Sequence, residues 1–309
     1  MIKMYNKSNA PDRCAPGDFF VMREGNTMTK YGLLKKSIIG IAVVSLLCIG
    51  LSVAYIREDI SFDQPHSIQK RTAPDDWAEH IKISVIGDSW VAGQKLDHAI
   101  KESMMASGIP AEVISSGHPG AKSRQIYRDL LNNNQADPYS SNKILMDEDV
   151  DFLVIVAGVN DTAGHIGKEF YAHHMVCIIQ AALDRGMTPV VVEVPEYGIA
   201  ETPAVGLLSW AKRAIYLRLF DNGKVDVISD YRKSLRDKIP PAIHGKVTFV
   251  EFTSIAHDYD SKKSLYANPS HLNRDGYEKL GRLIAKRIQE SHNNAMHSDG
   301  NSAALHSRR

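Results

Sequence analysis

Four short segments of this chain carry side chains that could do chemistry if they stood together. Gly87-Asp88-Ser89-Trp90 follows an apolar run and places a serine at a turn. A serine there exposes its hydroxyl, and the helix start behind it offers free backbone N–H groups. Ser115-Ser116-Gly117-His118-Pro119-Gly120 closes a second apolar run, and a glycine at that point lets a backbone N–H approach a ligand closely. Gly158-Val159-Asn160-Asp161 closes a third, where an asparagine amide can aim at a developing oxyanion. Asn268-Pro269-Ser270-His271-Leu272-Asn273 supplies a histidine on a loop before the last helix. Singly, each has an ordinary explanation. Ser89, Asp88 and Asn160 could be helix caps, Gly117 an ordinary turn, and His271 a solvated loop residue.

The elements that must position these groups follow from the hydrophobic pattern. Short apolar runs, Ile81–Ile86, Ala111–Ser115, Asp151–Ala157, Thr188–Val194 and Lys246–Phe252, are expected as strands. They alternate with amphipathic stretches, Lys95–Ser107, Lys122–Leu131, Lys168–Arg185, Val205–Phe220 and Arg274–Glu290, expected as helices. Such alternation implies a parallel sheet covered on both faces, an α/β domain over 79–291. In such sheets the reactive groups collect at the carboxyl ends of the strands. Ser89, Gly117 and Asn160 all fall there.

Taken as an ordered set, the four segments resemble the SGNH (GDSL-like) hydrolase superfamily, whose blocks are named for Ser, Gly, Asn and His. The matching residues are Ser89, Gly117, Asn160 and His271, and the resemblance spans about Ile81 to Glu290. It implies a flavodoxin-like three-layer α/β/α fold and a serine hydrolase acting on esters without a cofactor or metal. His271 would take the proton of Ser89, whose hydroxyl is otherwise a weak nucleophile. The oxyanion would be held by the N–H groups of Ser89 and Gly117 and by the Asn160 side chain. One residue departs from the pattern: the family usually has aspartate three residues before the histidine, and this chain has Asn268. An asparagine carbonyl can orient the imidazole but cannot offset its charge as a carboxylate would. Three outcomes stand open: a Ser–His dyad with Asn268 as orienter, another carboxylate such as Asp258 or Asp260 reaching His271, or weakened activity.

Other residues are secondary candidates. Trp90, His118 and His165 flank the blocks and are possible substrate contacts. His173 and His174 share a helix start with Glu169, but without an H-E-x-x-H pattern they read as surface residues rather than zinc ligands. Glu193 and Glu196 lie at a strand end, where they could face substrate or stand partly solvated. Of Cys14, Cys48 and Cys177, the last has no partner within the folded domain, which excludes a disulfide scaffold.

Ahead of the domain, Ser37–Ile56 is an uncharged apolar run preceded by Lys30, Lys35 and Lys36. Its length suits a bilayer-crossing helix, and the flanking charge puts residues 1–36 in the cytoplasm and the domain outside. A cleaved leader, with Ser52-Val53-Ala54 at the cut, is the alternative. Residues 57–78 read as a linker and 292–309 as a disordered tail. The formal net charge of +1 gives no sign of a nucleic-acid partner. Three functions remain: an esterase for O-acyl, most simply acetyl, groups on carbohydrate or cell-envelope glycan; an O-acyltransferase using the same site; or a glycan-binding module with decayed catalysis.

Overall fold

The computed structural model of the chain describes residues 35–50, 62–66, 68, 80–164, 166–198, 201 and 227–306, with side chains through 294 in the last stretch. Two compact units divide at Ala54 and Tyr55. In the first, residues 35–50 are helical (α1), and Ile38, Ile39, Val44, Leu46 and Leu47 are exposed on it. Among the described residues no helix is long and apolar enough to cross a membrane. Residues 51–56 of the expected 37–56 span lie outside them.

The second unit is built on a five-stranded parallel sheet. Its strands are β1 (Ile81–Gly87), β2 (Ala111–Gly117), β3 (Phe152–Val156), β4 (Thr188–Val192) and β5 (Thr248–Val250), in the order β2-β1-β3-β4-β5. All five expected strands form. β3 is buried at every position, as a strand covered on both faces must be. The helices of the domain are α2 (Ser89–Ala92), α3 (Lys95–Ala106), α4 (Ser123–Leu131), α5 (Asn142–Met146), α6 (Val159–Gly164), α7 (Lys168–Asp184), α8 (Ile228–Lys238), α9 (Pro241–His244) and α10 (Arg274–His306). α3 and α10 pack on each other, α3 against β2 and α10 against β4 and β5; α7 packs on α4, α8 and β4. Ile83, Val85, Leu153, Ile155, Val191, Ile100 and Ile284 are all sealed in the core. Each such aliphatic side chain contributes roughly 1.5–3 kcal/mol of burial.

Two expectations are modified and a third falls outside the described residues. The stretch Val205–Phe220 lies outside the described residues. α10 continues to His306, beyond Glu290: no proline follows Glu290, and extending an existing helix needs no new nucleation. Part of the supposed linker is docked on the domain. Phe62 packs edge-on against Phe170 and His173, Asp63 accepts from both Arg128 nitrogens at 2.7 and 2.8 Å, and Tyr127 Oη accepts the His66 N–H at 2.8 Å.

The strand order sets up the site. Gly87 is in register with both Gly117 and Val156, so β1, β2 and β3 end level. With β1 central between them, the turns after these strands open onto one edge, the crevice position of doubly wound sheets.

Candidate active site

The turn after β1 is locked from below. Asp88, fully buried, caps α2 by accepting the Trp90 N–H at 2.9 Å, and its own N–H donates to Val156 O at 3.3 Å. Ser89 is thereby fixed as the first residue of α2 and is only half-buried. Burial raises the Asp88 carboxyl to about 7, and the nearby Asp161 charge adds to the effect. Gly117 sits hard against α2: a Cβ there would fall 2.2 Å from the Ala92 nitrogen, so only glycine allows this approach. Gly158, at φ +117°, turns the chain from β3 toward α6 in a conformation that side chains resist.

Asn160, in the first turn of α6, donates its Nδ2 hydrogens to Ala121 O at 3.0 Å and Asp88 Oδ2 at 3.2 Å. The amide is therefore aimed across the strand ends, but at rest both hydrogens are held within the protein. Its neighbour Asp161 anchors the start of α4, accepting from Ser123 N at 2.9 Å and Ser123 Oγ at 2.6 Å. Burial holds that carboxyl up at about 6, opposed by the two Ser123 bonds and by Lys122.

His271 stands on a small antiparallel hairpin, β6 (Tyr266–Asn268) and β7 (His271–Leu272), which the sequence pattern did not indicate. Ser89 Oγ donates to His271 Nε2 at 2.9 Å across a separation of 182 residues. On the other face of the ring, Nδ1 meets Asn268 Oδ1 at 3.0 Å and Ser270 Oγ at 3.2 Å. Asn268 Oδ1 also accepts from Ser270 N at 3.0 Å and Ser270 Oγ at 3.2 Å, which fixes the amide with its oxygen toward the imidazole. Both partners of Nδ1 are neutral. Burial lowers the proton affinity of His271, and the Lys95 ammonium lowers it further. The two carboxylates considered as substitutes are engaged elsewhere. Asp258 accepts from Ser261 N and Oγ, each at 2.7 Å, and Asp260 pairs with Lys263 at 3.0 Å.

Trp90, expected as a possible substrate contact, is packed into the core. It is 1% exposed, packed edge-on against Phe252 and Tyr277, and its indole N–H donates to Ser270 O at 2.7 Å. A large aromatic beside a serine is equally compatible with core and pocket, and here the core takes it. His118 follows Gly117 and is partly exposed; its Nδ1 donates to Asp129 at 2.7 Å and its ring stacks on Tyr139 at 3.8 Å. His165 lies outside the described residues. His174 is fully buried, not a surface residue: its Nδ1 donates to Phe170 O at 2.8 Å, its Nε2 accepts from Asp63 N at 3.2 Å, and burial lowers its pKa to about 4. His173 Nε2 donates to Asp63 O at 2.6 Å, so this pair holds the 62–66 segment. Glu193 and Glu196 are tied to α8 through Arg236 at 2.7 Å and Arg232 at 2.8 Å. Cys177 is buried and its thiol is pushed up to about 11 by burial.

Sequence reasoning missed two groups at the site, Ser270 and Lys95. Ser270 stands next to His271 in the quoted segment, yet serine in a loop carries no signal of its own. Lys95 looked like an ordinary first residue of an amphipathic helix.

A flavodoxin-like sheet with a serine–histidine contact at its carboxyl edge is the architecture of a serine hydrolase. The chain belongs to the GDSL-like lipase/acylhydrolase family, whose profile matches residues 85–279, and it is an ester hydrolase of the SGNH type. Its fold is similar to the lipase/acylhydrolase from Enterococcus faecalis at 20% identity, covering 68% of this chain and 96% of that one with a TM-score of 0.50. The psychrotrophic esterase EstA from Pseudoalteromonas sp. aligns at 14% identity over 69% of this chain and 98% of its own, with a TM-score of 0.45. No curated protein matches the chain.

Proposed function

We propose that this chain removes O-acyl groups, most simply acetyl, from carbohydrate or cell-envelope glycan, with Ser89 as nucleophile and His271 as general base. The observation that carries the reading is the 2.9 Å contact from Ser89 Oγ to His271 Nε2, with Nδ1 held by Asn268 on the opposite side. That arrangement fixes the tautomer in which Nε2 is the free acceptor. His271 withdraws the hydroxyl proton as Ser89 attacks the ester carbonyl, and the imidazolium then protonates the departing alcohol. Water, deprotonated by the same nitrogen, releases the acyl group.

The Ser89 and Gly117 backbone N–H groups are the natural oxyanion donors, since Gly117 packs directly against the one-turn helix α2 that Ser89 opens. The Asn160 amide joins them by exchanging its longer bond, the 3.2 Å contact to Asp88, for the developing charge. One such donor is worth about 3–4 kcal/mol of barrier. With Asn268 in the third position the imidazolium lacks a counter-charge, so the site works as a Ser–His dyad with an orienting amide. Hydrogen bonds to a charged partner are roughly twice as strong as neutral ones, and turnover is correspondingly modest.

Placement outside the cytoplasm is part of the proposal. It is supported by the uncharged run 37–56 behind Lys35 and Lys36 and by the exposed aliphatic side chains of α1. In such a position the domain faces envelope glycans. The test is acetate release from acetylated glycans and from p-nitrophenyl acetate by the full chain. Release that is lost in Ser89→Ala supports the reading. Release that survives unchanged, or transfer to an added glycan in place of release, contradicts it.

A further inference from the structure

Between α3 and α10 lies a cavity of about 350 Å³, lined by Lys95, His98, Glu102, Arg274, Tyr277 and Glu278 among others. Two features tie it to the Ser89–His271 pair. Tyr277 lines the cavity and packs edge-on against Trp90, the residue after the nucleophile, while Arg274 lies three residues after His271. Lys95 lines it too, and of all the charged lining residues it is the one whose field reaches His271.

The charges of the lining are not distributed evenly. Arg274 Nε donates to Glu278 at 2.9 Å, and Glu102 lies 3.5 Å from His98, about two helical turns along α3 from its start. Lys95, the first residue of α3, has no carboxylate partner among the described residues. The nearest acid in sequence, Asp97, accepts instead from His98 N at 2.8 Å and Ser115 Oγ at 2.9 Å. Lys95 is left over the Tyr277 ring at 5.9 Å from its centroid. The residue before it, Gln94, is the one non-glycine among the described residues with a positive φ, at +53°. Such a conformation is strained for a residue with a side chain; here it makes the tight joint between α2 and α3.

A cation whose field reaches the base, with no carboxylate partner among the described residues, disfavours the imidazolium but otherwise does nothing for a neutral ester. It does have a use if the substrate brings the missing charge. We propose that Lys95 and this cavity form a subsite for an anionic substituent of the ester, a carboxylate, sulfate or phosphate carried near the scissile bond. The volume admits a group of a few heavy atoms, with Tyr277 as its apolar wall and Lys95 as its counter-ion. The proposal rests on the Ser89–His271 reading for the reaction itself and adds the class of ester that reacts best.

The test compares matched esters on the full chain. One arm places the charge in the acyl group, mono-p-nitrophenyl succinate against p-nitrophenyl butyrate. The other places it in the leaving group, 4-acetoxybenzoate against its methyl ester. The quantity read is the ratio of kcat/KM for anionic over neutral ester in each arm. Lys95→Met is expected to lower that ratio at least tenfold in one arm, Lys95→Glu to lower it further, and Lys95→Arg to retain most of it. In the unaltered protein the same ratio should fall several-fold as salt rises from low to about 0.5 M, because the charge pair is partly solvated and screened. This salt arm is independent of whether a variant folds. Ratios that stay within twofold in both arms for Lys95→Met, or a ratio insensitive to salt, overturn the subsite. Loss of hydrolysis of both esters in Ser89→Ala, or its absence, speaks to the catalytic reading alone.

Discussion

The Trp90 indole N–H donates to the backbone carbonyl of Ser270 at 2.7 Å. This bond joins the residue after Ser89 to the residue before His271, although 180 positions separate them in the chain. Both ends are anchored: Trp90 by burial against Phe252 and Tyr277, and Ser270 by its two bonds to Asn268. The histidine loop is therefore positioned from the helix that Ser89 opens, which explains how a loop can hold a 2.9 Å contact to Ser89.

Trp90→Phe keeps most of the buried area and removes the N–H, leaving the Ser270 carbonyl without its donor. Stability is expected to fall by about 1–3 kcal/mol, the cost of a partly buried carbonyl left without its donor together with a small void. The larger effect should be on kcat, by about tenfold, with KM little changed, because sub-ångström misplacement of the base is felt in the transition state. Thermal unfolding and steady-state kinetics on a neutral ester measure the two. A variant with normal kcat would show that the hairpin holds His271 without this bond.

Much of this was legible in the sequence. The five apolar runs became the five strands, because runs such as Phe152–Val156 are apolar on both faces and fit only a covered parallel sheet. Ser89, Gly117 and Asn160 could be placed at strand ends for the same reason. The partners of those residues could not be read. Trp90 carries the same letter whether it faces a pocket or the core, and Ser270 acts through a contact that depends on the hairpin's geometry. Glu193 and Glu196 looked available because α8, which supplies Arg232 and Arg236, carries too few apolar residues to stand out. Lys95 is notable only through its field at His271, which depends on where the fold sets the start of α3.

The third member of the site has a directional test in pH. His271 must be neutral to accept the Ser89 proton, and burial and Lys95 both hold its proton affinity below the ordinary value of 6.5. The acid limb of kcat/KM is therefore expected below about 6.5, the ordinary histidine value. Asn268→Asp places a carboxylate against Nδ1, favouring imidazolium. The acid limb should then move to higher pH by roughly one unit, with a higher plateau rate above it. Asn268→Ala should lower the plateau without that displacement. A pH–rate profile of the three proteins decides this, and an Asp variant with an unmoved limb would show that residue 268 does not contact the imidazole in solution.

Beneath Ser89, Asp88 is raised to about 7 and Asp161 to about 6, both chiefly by burial, against an ordinary value of 3.8. Between those values the folded protein holds protons that the unfolded chain releases. Their contribution to stability is therefore full below about pH 4 and is lost as pH rises toward 7. Asp88→Asn cannot titrate. Relative to the unaltered protein, the variant is expected to gain stability between about pH 5 and pH 8, whatever its offset from altered hydrogen bonding to Asn160 and Trp90. Chemical denaturation at the two pH values measures the change in the difference; a constant difference would contradict the assigned burial of the charge.

The central claim is that His271 activates Ser89, and covalent labelling by a fluorophosphonate probe measures it most directly. An ordinary serine is inert to such a reagent, whereas one whose proton is drawn toward an imidazole reacts. Labelling of the full chain at Ser89 is expected, abolished in Ser89→Ala and reduced by at least a hundredfold in His271→Ala. A folded protein that takes up no probe, or one labelled equally well after either substitution, would contradict it.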